Sequence, residues 1–93
     1  MKILVTGVAG FIGFHLSKHL LKNNFKLVGI DNINDYYDQN LKLNRLKILQ
    51  SKKLNFKKIN IANKSEIDKL FEDERPNIVI HLAAQAGVRY SIK

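Results

Sequence analysis

No cysteine occurs in these 93 residues, so the chain has neither a disulfide framework nor a thiolate metal site. Long apolar runs are missing too. No stretch approaches the roughly 18 residues that a membrane-spanning helix needs. Only Ile3-Leu4-Val5 separates Met1-Lys2 from Thr6-Gly7, too little for the apolar core of a signal peptide. A cytoplasmic protein is expected. Acidic side chains are scarce, 8 against 16 basic ones, for a net charge of +8. That excess does not read as a nucleic-acid surface. The lysines are scattered and accompanied by ten asparagines, and Lys52-Lys53 and Lys57-Lys58 are short clusters rather than basic blocks. Proline appears once, at position 76.

What is present is enough for a core. Hydrophobic residues make up 45% of the chain, too many for a disordered segment, and the length allows one small domain at most. Apolar patterning predicts strands over Lys2 to Thr6, Lys26 to Ile30, Leu54 to Ile61 and Asn77 to Leu82. Between them, helices are predicted over Phe11 to Lys22 (Ile12, Leu16 and Leu20 on one stripe), Asn40 to Gln50 (Leu43, Leu46, Leu49) and Lys64 to Glu74 (Ile67, Leu70, Phe71). Ser65 lies near the start of the last helix and Pro76 ends it. Strands alternating with helices predict an α/β fold, a parallel sheet with right-handed crossovers. The last strand is expected beside the first, with its far edge left for further chain to cover. The 93 residues therefore read as the front of a larger domain.

The most specific signal is Thr6-Gly7-Val8-Ala9-Gly10-Phe11-Ile12-Gly13, directly after the first strand and opening the first helix. Gly7 permits a tight turn out of the strand, Gly10 lets a diphosphate approach the main chain, and Gly13 lets the helix pack closely on the sheet. The helix start directs N–H groups and positive dipole at the phosphates. The Gly-x-x-Gly-x-x-Gly spacing is not the usual dinucleotide pattern, but its context is right. Asp31 follows 18 residues after Gly13, at the end of the second apolar run, where an acidic residue accepts the adenine ribose hydroxyls. An anion there repels a 2′-phosphate, and no arginine follows closely, so NAD is expected over NADP.

The glycine turn, Gly29-Ile30-Asp31-Asn32 and His81-Leu82-Ala83-Ala84 together resemble the extended short-chain dehydrogenase/reductase family. Asp31-Asn32-Ile33-Asn34-Asp35-Tyr36-Tyr37-Asp38, Leu41-Lys42, Arg45-Leu46 and Gln85-Ala86-Gly87-Val88-Arg89-Tyr90-Ser91 are similar to its UDP-glucuronate 4-epimerases. The resemblance implies an incomplete, doubly wound Rossmann-type sheet of about four strands, order 3-2-1-4, with helices on both faces. It implies NAD over the carboxyl ends of the strands, with its pyrophosphate over Gly10, Phe11, Ile12 and Gly13 and its adenosine ribose on Asp31 and near Asn32. Leu82, Ala83 and Ala84 would line the nicotinamide side, although simple packing accounts for the two alanines equally well. Asn60, followed by Ile61, stands where the family usually has an aspartate for the adenine amino group; its amide oxygen can accept that bond without the charge.

The implied activity is 4-epimerisation of a UDP-sugar, with the whole protein a homodimer; a 4,6-dehydratase or decarboxylase, or a non-catalytic NAD-binding module, are the alternatives. The family's Tyr-x-x-x-Lys pair lies beyond position 93, so no catalytic residue is expected here and the 93 residues alone are expected to be inactive. Tyr90-Ser91-Ile92-Lys93 has the wrong spacing. Arg89 is the candidate for a substrate phosphate or uronate, with plain surface arginine as the alternative. His15 and His19 are four apart on a helix without a further ligand, and no metal site is expected. His81 is expected to be a satisfied core histidine. Asp35, Tyr36, Tyr37 and Asp38 serve loop shape or ligand contact equally well.

Overall fold

A computed structural model describes residues 1–33 and 39–82. Four strands, β1 (Lys2–Thr6), β2 (Lys26–Asp31), β3 (Asn55–Lys58) and β4 (Ile78–His81), alternate with three helices, α1 (Phe11–Lys22), α2 (Gln39–Ser51) and α3 (Lys64–Glu74). All neighbouring strands run parallel, in the order β3-β2-β1-β4. This is the expected doubly wound sheet, and the last strand does lie beside the first.

Side-chain alternation sorts the core into two layers. Ile3, Val5 and Leu27 face one side with Phe14 of α1 and Leu46 and Leu49 of α2. Leu4, Val28 and Ile30 face the other, packed with Ile59 and with Leu70 of α3. Helices therefore cover both faces. Each fully buried aliphatic side chain contributes roughly 1.5–3 kcal/mol, so the central pair β1 and β2 anchors the domain.

The buried stripe of α1 differs from the predicted one. Gly13, Phe14 and Ser17 are buried, whereas Ile12 points outward with 61% of its surface exposed. Small residues decide the matter: with no side chain at Gly13 and a short one at Ser17, that face of the helix approaches the sheet most closely. On α2, Leu46 and Leu49 are buried as expected, but Leu43 is exposed. Its place on the inner face is taken by the half-buried Lys42 and Arg45. Phe71 of α3 is exposed too.

β3 is shorter than predicted. Ile59 N–H makes a last bond to Asp31 C=O, and then Asn60 Oδ1 accepts from Ala62 N–H at 2.9 Å, turning the chain off the sheet. Asn63 caps α3, its Oδ1 accepting from Glu66 N–H at 3.2 Å and from Ser65 Oγ at 3.0 Å. β4 is held at its start by reciprocal bonds between Asn77 and the Lys2 backbone, 2.9 and 2.8 Å. Its Ile78 and Val79 are about 40% exposed, on the side of the sheet that was expected to be left for further chain to cover.

Candidate dinucleotide-binding site

The site is built at the carboxyl ends of β1, β2 and β4. After Thr6 the chain reverses through Gly7, whose φ of 74° lies in the left-handed region that favours glycine. Gly7 and Val8 both donate to Ile30 C=O, at 2.9 and 3.2 Å, which fixes the turn to the end of β2. Val8 is fully buried, and only a glycine at position 29 admits it: a Cβ there would lie 2.8–3.0 Å from three Val8 side-chain carbons.

Gly10 is the N-cap of α1. No side chain caps this helix and its first turn contains no acidic residue, so its leading N–H groups are directed outward at a position of positive potential. A Cβ at Gly10 would sit 3.3 Å from Gly7 C=O, a tight but survivable contact; one at Gly13 would sit 2.1 Å from the same oxygen. Gly13 is therefore demanded by the fold itself, and Gly10 leaves the main chain open to an approaching group. Phe11 and Ile12, the next two residues expected at the diphosphate, are exposed at the helix start.

Asp31 closes the second β-strand with its carboxylate buried, 6% exposed. Oδ2 accepts from Ala9 N–H inside the turn at 3.0 Å, and Oδ1 accepts from Ile33 N–H at 2.9 Å. Lys42 Nζ lies 3.4 Å from Oδ1. The carboxylate expected for a ribose is thus also the strut that joins β2 to the glycine turn. Ile33, at φ 52°, bends the chain sharply just after it, a conformation rare for a β-branched residue and of a kind that clusters at ligand sites. Asn32 lies half-buried between them.

At the other side of β1, Leu82 N–H donates to Thr6 C=O and to Thr6 Oγ1, at 3.1 and 3.0 Å. Leu82 is thereby brought to the same strand-end edge as the glycine turn. His81 is not a core residue: its side chain is exposed at the edge strand, and Nδ1 is 2.8 Å from Thr6 Oγ1. Asn60 and Ile61 follow the end of β3 and are solvent-accessible. Ala83, Ala84 and Arg89, with Tyr90 and Lys93 and the segment Asp35 to Asp38, lie outside the described residues.

Two residues of the site carried no role in the sequence reading, Lys42 and Arg45. Arg45 Nη1 donates to Ala9 C=O at 3.1 Å, and its guanidinium carbon is 5.9 Å from the ring centres of both Phe11 and Phe14. Their spacing with Leu46 and Leu49 on one helix face was the available signal. Among the described residues no three His, Cys, Asp or Glu side chains come together as metal ligands, and no helix is long and apolar enough to cross a membrane.

The family model described as GDP-mannose 4,6 dehydratase matches residues 4–93. The chain belongs to this family, within the extended short-chain dehydrogenase/reductases. Protein CapI of Staphylococcus aureus is 52% identical over 93 residues, all of this chain and 28% of that protein. The UDP-glucuronate 4-epimerase of Thermodesulfobacterium geofontis is 47% identical over 91 residues, 97% of this chain and 28% of its own length. The dTDP-glucose 4,6-dehydratase of Bacillus anthracis, solved in complex with NAD, superposes with a TM-score of 0.79 at 27% identity, over 92% of this chain and 27% of that one. The chain thus spans little more than a quarter of the length of these three proteins.

Proposed function

We propose that residues 1–93 are the NAD-binding, amino-terminal part of a UDP-glucuronate 4-epimerase. The observation that carries the reading is the buried Asp31 carboxylate bonded to the glycine turn at Ala9, in a chain that shares 47% of its residues with such an epimerase. The residues fit the cofactor: an uncapped helix start for the diphosphate, a glycine where the main chain must stay open, and an anionic acceptor at the second strand end for ribose hydroxyls. Gly7, Gly10, Phe11, Ile12 and Gly13 hold the diphosphate, Asp31 and Asn32 the adenosine ribose, Asn60 and Ile61 the adenine, and Leu82, Ala83 and Ala84 the nicotinamide side. Arg89 is the candidate partner for the uronate or phosphate of the UDP-sugar. When bound, NAD would supply a reversible hydride acceptor for sugar C4. This chain's residues bind and orient it, and the proton-transferring groups belong to the remainder of a homodimeric, cytoplasmic protein.

The test is incubation of the whole protein with NAD and UDP-glucuronate, with product analysis by anion-exchange chromatography. Conversion to UDP-galacturonate is expected. A 4-keto-6-deoxy product from another nucleotide sugar, with no epimerisation, would replace this reading by the dehydratase activity after which the family is described.

A further inference from the structure

Ala9 is held at both of its backbone polar groups. Its N–H is held by Asp31 and its C=O by Arg45, from a position 36 residues further along the chain. Lys42, one turn before Arg45 on the same helix, holds the other oxygen of Asp31. α2 therefore reaches the glycine turn directly through Arg45 and, through Lys42, the carboxylate that holds it. The Ala9 carbonyl stands four residues before Gly13, so it is the acceptor that an earlier-starting helix would use for Gly13 N–H. Arg45 takes that carbonyl for itself, and its guanidinium is flanked by the Phe11 and Phe14 rings at the point where α1 begins.

We propose that Arg45 is a positioning residue for the cofactor diphosphate. It acts through the Ala9 peptide, keeping the first amides of α1 aimed at the phosphate oxygens instead of turning inward. The proposal rests on the cofactor reading given above. It differs from a packing role in one respect: an arginine that only stabilised the fold would affect every part of the ligand alike.

Titration of the whole protein with ADP and with adenosine separates the two. In Arg45→Met, ADP should weaken by about tenfold while adenosine is unchanged, because only ADP carries the diphosphate. Arg45→Lys should fall in between, since it keeps the charge but not the planar fork. Equal weakening of both probes, or no weakening of ADP, in a variant that melts like wild type would overturn the proposal. Should Arg45→Met fail to fold, Arg45→Lys decides by the same criterion. A wild-type protein that binds neither NAD nor ADP would refute the cofactor reading itself, a result distinct from a wild type that binds and a variant that binds equally well.

Discussion

The two glycines of the turn that flank the start of α1 look alike in sequence and do different work. Gly13 has no space for a methyl group, with a backbone oxygen 2.1 Å from where it would stand. Gly13→Ala should destabilise the protein by about 3 kcal/mol, the upper end for an overpacked site, and thermal melting measures it. Gly10→Val instead meets a contact of 3.3 Å, so the fold should survive while the branched side chain blocks the diphosphate. Retained NAD affinity in a folded Gly10→Val protein would show that the turn does not hold the cofactor. Asp31→Ala should weaken NAD by about 1–3 kcal/mol through the lost acceptor, and it also releases Ala9 N–H and Lys42. On the proposed reading Asp31 should favour NAD over NADP, with the Lys42 ammonium beside it softening the repulsion of a 2′-phosphate. Removing that cation by Lys42→Met should therefore widen the preference for NAD in parallel titrations with both cofactors. Ser17 is buried in α1 with its hydroxyl unpartnered among the described residues; Ser17→Ala should be neutral or raise the melting temperature, since the cost of burying that hydroxyl is removed.

At the scale of elements, α3 depends on its ends. Asn63 supplies the cap, and Arg75, at φ 46°, terminates the helix in a left-handed conformation before Pro76. Asn63→Ala should cost about 1 kcal/mol, read from denaturant unfolding; an unchanged midpoint would mean that the cap bonds are replaced by water without loss. On its exposed face, Lys64 and Lys69 bond Asp68 and Asp73 four residues on. These bonds, with the carboxylate charges, raise both lysine pKa values above the usual 10.5. The lysine contribution to this small support is therefore present at neutral pH and is lost as the pH rises through the raised lysine values. α2 shows how an element acquires a second role. Its inner face carries two leucines for the core and two cations for the turn, so the same packing that stabilises the domain aligns the site.

For the whole molecule, what matters is which edges meet. β1 lies between β2 and β4, so the glycine turn after β1, Asp31 after β2 and Leu82 after β4 all arrive at one rim of the sheet. That rim binds a dinucleotide on the reading above, and the family's proton-transferring Tyr-x-x-x-Lys pair is expected beyond position 93. The 93 residues incubated alone with NAD and labelled UDP-glucuronate should give no UDP-galacturonate. Turnover abolished by Tyr90→Phe would show that the catalytic groups are in this part of the protein after all.

Strand and helix identities, their order and the parallel sheet were legible along the chain, because apolar periodicity and the Gly7–Gly13 spacing are local properties. The glycine turn with Asp31 was legible for the same reason: each is a short motif at the end of a strand. Burial was not. The stripe of α1 could not be assigned from Ile12, Leu16 and Leu20, because the close approach at Gly13 and Ser17 is a property of the sheet beneath them. The bond between His81 and Thr6 depends on β4 lying beside β1. The partnership of Arg45 with Ala9, and of Lys42 with Asp31, depends on α2 crossing back over the turn. Hydrophobic pattern fixes which segments must be buried somewhere; only packing in three dimensions decides which polar groups are brought together when they are.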